Sequence, residues 1–454
     1  MAKRKVKGNP NATITMPIVN PGAAGIDIGS RSHFVCVSQD NVKEFKSFTS
    51  GLHEIAEHLL YYEIKTIALE STGFYWQQLF VLLQSYGFEV ILVNARHVKN
   101  VKGHKTDVVD SKWLQLLHSI GLLSNSFQPD FFTKELRQYV RHRKSLIETG
   151  SMYIAKMNKS LVLMNIQLKT VLRDLTGESG LKVIEAIVKG VRDPDVLEPL
   201  VGKRVKASRQ DIKDALNGDW RGEHLFELSQ NYSFYQFTRE KIKETDNRIE
   251  ALLEQWKEKN GDEKIRKGYS KNKHSHGHKN DPGFDIKAYA YEMAGGVDLS
   301  QIEGVDVGTI LTLVSETGLD LKSKFKTAKH FASWLGFSPN RKITGGKTMS
   351  SHTPKVKSSL SHAIRQAANA AGNSKSRLGD FFRRLSFRKG RTVAIIATAR
   401  KIAVIIYKML ETHQPYCYEY TQEDSERFKQ MQIKKTIKNI KKHGIAQSDL
   451  VMAF

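Results

Sequence analysis

The chain reads as an α/β domain at its N-terminus, then an all-α arm, then a mostly helical C-terminal domain. Three observations carry this reading. Between residues 22 and 120, short apolar runs bounded by turn residues alternate with amphipathic stretches at helical spacing. From Lys134 to about Leu175 and from Leu225 to Lys259 the pattern is long, charged and helical, as in RHRKSLIETGSMYIAKMNKSLVLM and REKIKETDNRIEALLEQWKEK. Residues 298–412 are helical again, from LSQIEGVDVGTILTLVSETG to TVAIIATARKIAVIIYKML.

In chain order, AGIDIG, HFVCVS and VKEFKSF are three short strand-like runs separated by turn-like breaks, which predicts a meander. LHEIAEHLLYY has helical spacing and KTIALE is a fourth strand. FYWQQLFVLLQSYG is a second amphipathic helix, ended by Gly87, and FEVILVN is a fifth strand. DVVDSKWLQLLHSIGLL is a third helix with Asp107 in its opening turn. The order β-β-β-α-β-α-β-α is the plan of the ribonuclease H-like fold, and it assigns residues 22–130 to one such domain. Residues 131–297 form the arm, an antiparallel helical pair with coiled-coil character joined through a helical patch around 181–217. Within the arm, residues 260–283 are polar, rich in Gly and Lys and almost free of apolar side chains, which predicts a flexible insertion. Residues 298–412 form the C-terminal domain. A disordered basic arm (1–21) precedes these parts. A basic tail (413–454) follows, in which KKTIKNIKK holds five Lys in nine residues.

The charge balance names a partner class. The 454 residues carry a formal net charge of +24, which points to a polyanion. Between Leu321 and Leu410 there are twenty Lys and Arg and one acid, Asp380, so that stretch alone carries +19. A solvated surface mixes both signs, so this asymmetry favours nucleic acid. The two cysteines, Cys36 and Cys417, are far apart in unlike contexts and read as reduced thiols. No apolar run reaches transmembrane length, and the start MAKRKVKGNPN lacks the apolar core of a signal peptide. A soluble, intracellular protein is expected.

Four carboxylates carry the chemistry. Asp27 sits inside the apolar run AAGIDIGS, Glu70 closes TIALESTG, and Asp107 and Asp110 belong to KTDVVDSKWL, one helical turn apart. A charge at the end of a buried strand is costly unless something compensates it. Three such places in one α/β pattern point to a hard divalent cation, and phosphoryl transfer on nucleic acid uses such cations to bridge the attacking and leaving oxygens. Taken singly, a turn Asp, a strand-end Glu and a helix cap explain most of the set. Asp27 within an apolar strand is what those explanations leave over. AGIDIGS would also suit the phosphate hairpin of an actin-like sugar kinase, but neither a second Asp-Gly-Gly-rich loop nor an adenosine motif follows.

In SPNRKITGGKTMSSH (338–352) two adjacent glycines follow a hydroxyl residue and leave the backbone open to a phosphate, with Arg341, Lys342 and Lys347 around them. A surface turn in a basic domain explains the run equally well, and it lacks P-loop spacing. Arg383, Arg384, Arg388, Lys389 and Arg391 precede an apolar helix and suit salt-sensitive phosphate contact. His274, His276 and His278 have no Cys or acid at ligand spacing and read as solvated. LSQIEGVDVGTILTLVSETG resembles a helix-hairpin-helix, with Asp306 where a Gly is expected.

Together these residues resemble the DEDD transposases of bacterial insertion sequences, the family described as bridge-RNA-guided recombinases. The resemblance rests on GIDIG, ALESTGFYW, NARHVKNVKGHKTDVVDSKWL, IEGVDVGTILTLVSETG, FASWLGFSPNRKITGGK and the closing apolar helix, in family order over nearly the whole chain. It implies a RuvC-like site in which Asp27, Glu70, Asp107 and Asp110 hold Mg²⁺ or Mn²⁺. Lys105 joins the basic residues expected on nucleic acid. The family's C-terminal serine, which attacks the DNA phosphate and forms a covalent link, aligns with Thr344; Ser350 and Ser351 are the alternatives. A threonine hydroxyl is secondary and bulkier, so attack is expected to be slower.

The implied partners are donor and target DNA, a structured non-coding guide RNA, and further copies of the chain in a homodimer or homotetramer, with no membrane. The implied place is the bacterial cytoplasm, at the nucleoid. The implied reaction is cutting, strand exchange and rejoining without net hydrolysis, so no ATP is called for. Two other functions compete: a metal-dependent junction endonuclease with water as nucleophile, and a non-catalytic nucleic-acid-binding scaffold.

Overall fold

The computed structural model describes residues 16–71, 73–94, 106–262, 264–265, 268, 277–416, 426, 430 and 433. Lys105, His274, His276, Cys417, KKTIKNIKK and most of the N-terminal arm lie outside the described residues. The chain divides into two compact units, residues 1–128 and 129–454.

In the first unit the strands are β1 (Ala23–Ile28), β2 (Ser32–Ser38), β3 (Asn41–Lys46), β4 (Thr66–Glu70) and β5 (Glu89–Val93). They form one sheet in the order β3-β2-β1-β4-β5. The first three strands pair antiparallel as a meander, and β4 and β5 add in parallel beside β1. Parallel addition requires crossovers, and α1 (Thr49–Tyr61) and α2 (Trp76–Ser85) supply them. The mixed α/β sheet with its element order fits the ribonuclease H-like plan.

Period-2 alternation divides the strand side chains between two faces. Ala24, Ile26, Ile28, Ile67 and Leu69 pack into one core with Ile55, Leu59, Leu79 and Leu83 of α1 and α2. Ala68, Ile91 and Val93 face the other way, onto Leu114 and Leu117 of α3 (Asp107–Ser119). Burying each such Leu or Ile contributes about 1.5–3 kcal/mol, which is what holds α3 against the sheet. Cys36 is a buried free thiol whose pKa burial pushes up to about 11, so it is inert rather than reactive.

The second unit opens with α4 (Phe131–Leu163), capped by the Asp130 side chain. Helical spacing predicts continuation to about Leu175, but the helix stops twelve residues earlier. Asn165 takes a left-handed conformation (φ 57°), and the Ile166 amide donates back to the Leu161 carbonyl. Asn tolerates that conformation and ends helices by it. The apolar residues beyond, including Ile166, Leu168 and Leu172, turn into a small helical core. That core uses α5 (Leu168–Val171), α6 (Glu178–Val188), α7 (Pro194–Leu197) and α8 (Arg209–Leu216). Helix α9 (Gly222–Asn260) then returns along α4.

The contacts give the direction of that return. Phe132 meets Trp256, Arg143 meets Asp246, Tyr153 stacks on Phe234, and the Ser160 hydroxyl donates to Glu227, so α4 and α9 run antiparallel. The Arg143–Asp246 pair is buried. Its guanidinium also donates to the Asn280 carbonyl (2.9 Å), and the Gly283 amide donates to Asp246 (3.2 Å). The C-terminal end of the polar segment 260–283 is therefore anchored onto the helix pair.

Beyond it come α10 (Ile286–Met293), α11 (Val307–Thr317), α12 (Leu321–Lys324) and α13 (Ala328–Trp334). The hairpin strands β6 (Lys342–Thr344) and β7 (Lys347–Ser350) follow, then α14 (Ser359–Ala371), α15 (Arg377–Lys389) and α16 (Arg391–Thr412). Glu316 on α11 is buried and accepts two 2.8 Å hydrogen bonds from Arg141 of α4, so the arm and the C-terminal helices are tied together within this unit. Asp306, out of place in a helix-hairpin-helix turn, caps α11 by accepting from the Thr309 amide at 2.7 Å. No helix among the described residues is long and apolar enough to cross a membrane.

Candidate active site

The carboxylates are positioned by strand register and by one glycine. Strands β1 and β4 pair in parallel from Ala23↔Thr66 to Ile26↔Leu69, and the next step of that register sets Asp27 beside Glu70. Both lie on the face that carries Gly25 and Ala68, toward α3. At Gly25 the helix comes down onto the strand: a Cβ there would fall 2.3 Å from the Gln115 amide nitrogen and 2.6 Å from the Ser111 carbonyl oxygen. The Gln115 side chain donates to the Ala23 carbonyl at 3.2 Å. The Val19 and Asn20 amides donate to the Ser119 carbonyl, so moving along the chain from Val19 to Gly25 moves back along the helix from Ser119 to Gln115 and Ser111. One further turn leads from Gly25 toward Asp27 on the strand and from Ser111 to Asp107 on the helix.

Electrostatics agree with this placement. Burial first, and then the charges of Asp107, Asp110 and Glu70, together push the Asp27 pKa up to about 6, against the lowering effect of the Ile28 amide. Capping does not account for Asp107, because the Thr106 side chain takes that role by accepting from the Val109 amide. Among the described residues no group of three or more His, Cys, Asp or Glu side chains is arranged to hold a metal ion. Mg²⁺ does not need such a group, since it binds through one or two carboxylates and keeps several waters. An all-oxygen donor set with a surplus of negative charge fits such an ion.

The hydroxyl residues lie in the second unit. Thr344 ends β6 opposite Lys347 of β7, with Gly345 (φ 55°) and Gly346 (φ 76°) between them. Two central residues at positive φ make the two-residue hairpin turn that glycine pairs favour. A Cβ on either glycine would meet nothing within 4 Å, so the turn geometry, not crowding within this chain, requires them. This strand pair interrupts the mostly helical region expected over 298–412. Thr344, Arg341, Lys342, Lys347 and Ser351 are exposed, and Ser350 is half-buried opposite Lys342.

The other basic positions divide. Arg383 donates to the Gly372 and Ser374 carbonyls (2.9 and 2.7 Å) and to Asp380, so it closes the end of α14. Arg391 donates to Asn369 at 2.7 Å and remains exposed. Arg384, Arg388 and Lys389 are exposed on α15. Gly25 is the residue that sequence reasoning passed over, although a glycine inside a strand signals close backbone approach.

Two family models match the chain. One, DEDD_Tnp_IS110, described as a transposase, spans residues 24–166 and so contains all four carboxylates. The other, Transposase IS116/IS110/IS902 family, spans residues 298–383 and contains the hairpin. The chain belongs to the IS110 family of DEDD transposases. No curated protein matches it. As an IS110-family transposase it is a DNA-processing enzyme of transposition, and the family implies use of a divalent metal.

Proposed function

We propose that this transposase cuts and rejoins DNA strands at a composite site, the carboxylates coming from one copy of the chain and the hydroxyl residue from another, with a covalent protein–DNA intermediate. Asp27, Glu70, Asp107 and Asp110 would hold Mg²⁺ or Mn²⁺, and Thr344 would supply the attacking hydroxyl. The observation that carries the reading is the register that sets Asp27 beside Glu70, with α3 drawn close at Gly25. A bound divalent cation would supply charge stabilisation at the reacting phosphate.

In the covalent step the Thr344 oxygen forms a new ester bond to phosphorus as the bond to one deoxyribose oxygen breaks. The hydroxyl proton leaves Thr344, and the departing sugar oxygen takes one up. Rejoining is the reverse attack by a sugar hydroxyl of another strand, so water is not consumed and no nucleotide is hydrolysed. The two glycines at the centre of the turn let the hairpin tip approach a phosphate backbone, and Arg341, Lys342 and Lys347 surround it with positive charge. A structured RNA that pairs with both DNAs would leave the protein to recognise backbone and shape. The +19 carried between Leu321 and Leu410 suits that division.

The test uses the full chain, labelled DNA carrying the element's end, the RNA transcribed beside the gene, and Mg²⁺. Wild type should give a protein–DNA adduct that survives denaturation. Thr344→Ala should lose the adduct, and Asp27→Asn should lose cleavage while still binding DNA. Cleavage without any adduct would make water the nucleophile. An adduct that persists in Thr344→Ala would move the role to Ser350 or Ser351.

A further inference from the structure

A polar cavity of about 300 Å³ lies between α4 and the start of α14, lined by Lys144, Lys357, Ser358, Ser359, His362 and Arg365. No acid lines it. Its cations come from separate stretches of chain: Lys144 from α4, Lys357 from the segment that follows the β6–β7 hairpin, and Arg365 from the second turn of α14. Lys144 has only a marginal, exposed partner, Glu148 at 3.9 Å. The Arg365 guanidinium lies over the Phe337 ring, and its Nε is buried without a hydrogen-bond partner. The first turn of α14 opens into the same space, adding amide donors and the positive end of a thirteen-residue helix.

The walls are fixed in advance. The buried Ser361 hydroxyl donates to the Leu335 carbonyl at 2.8 Å and pins the start of α14 to the end of α13. Gly336 (φ 77°) lets the 354–356 segment lie against it, where a Cβ would fall 2.6 Å from the Val356 side chain. Preformed donors around a cavity without a carboxylate suit an oxyanion. Val356 is the one apolar lining residue, and no Phe, Tyr or Trp lines the cavity.

We propose that this cavity binds one backbone phosphate of a polynucleotide, downstream of the hairpin that carries Thr344. This rests on the reading that nucleic acid is the substrate, but not on the carboxylate chemistry. The test is equilibrium binding of the full chain to a labelled DNA duplex, and separately to an RNA hairpin, across a salt series and without cleavage. Each phosphate neutralised on duplex DNA contributes about 0.9 to the slope of log K against log salt. Lys357→Gln and Arg365→Gln should each weaken binding and lower that slope by about 1, and the double variant should also lower it by only about 1, because both hold the same phosphate.

Lys357 is exposed, so its variant keeps the fold even if Arg365→Gln disturbs the packing on Phe337; melting curves check both. Unchanged slopes on both nucleic acids overturn the proposal. A fall of about 2 in the double variant also overturns it, since that means two independent surface contacts. If inorganic phosphate raises the melting temperature of wild type but not of Lys357→Gln, while the nucleic-acid slopes stay equal, the cavity holds a free anion and the polynucleotide assignment fails. The arm in which the slope falls identifies DNA or RNA as the occupant. The binding assay uses neither metal nor cleavage, which separates failure here from failure of the cleavage reading.

Discussion

Asp27 lets the charge of the carboxylate cluster be measured through stability. Its pKa stands at about 6, above the ordinary carboxyl value of 3.8. An acid raised in this way opposes folding once it is ionised. That cost is absent below the unfolded pKa, grows as pH rises from about 4, and is complete above about 6. Asp27→Asn should therefore raise the metal-free melting temperature at pH 8 and leave it nearly unchanged at pH 4. Solvent screening of a half-exposed group limits the gain to about 1 kcal/mol. Mg²⁺ added at pH 8 should then stabilise wild type more than the variant. A variant no more stable than wild type at pH 8 in chelator would mean that the four carboxylates do not repel one another as described.

At the scale of elements, two contacts set the geometry. Gly25→Ala would drive a methyl group into the α3 backbone, and overpacking of this kind costs roughly 1–3 kcal/mol or more. The variant should lose DNA cleavage even where it folds, because α3 carries Asp107 and Asp110; circular dichroism melts and cleavage assays on one preparation separate the two effects. In the arm, Arg143→Ala would leave Asp246 buried without its ion pair, a loss of about 3–5 kcal/mol by denaturant titration.

The sheet was legible because its strands are apolar runs of ordinary length between turn residues, and the carboxylates because Asp27 interrupts one of them. Less visible features depend on pairings that local pattern does not contain. Nothing in RHRKSLIET shows that Arg143 will meet Asp246, a hundred residues on. Nothing in FFRRLSFRKG separates Arg383, bound to the end of α14, from its solvent-facing neighbour Arg384. The hairpin could have been read from Gly345 and Gly346 between β-forming residues, but the helical spacing on both sides masked it.

For the whole molecule, the two units carry unlike parts of the proposed chemistry: acids in residues 1–128, the exposed hydroxyl and most of the basic excess in residues 129–454. If the working site joins the acids of one copy to the hydroxyl of another, two inactive variants should complement each other. Asp27→Asn and Thr344→Ala chains, inactive alone, should recover strand cleavage when co-assembled, up to about a quarter to a half of wild-type activity under random mixing in a dimer. Mixtures that stay inactive would confine the site to one chain.

The anchoring of Asn280 and Gly283 on Arg143 and Asp246 also bears on how this chain can be altered. Helix α9 ends at Asn260, fourteen residues beyond Asp246, which is about 21 Å along the axis. About seven extended residues would cover that return, yet the chain uses nineteen, 261–279. The surplus makes this link a place for an affinity tag or a fluorescent label, on the N-terminal side of the anchor at Asn280 and clear of Ile265 and Gly268, which lie against Gly296 and Tyr291.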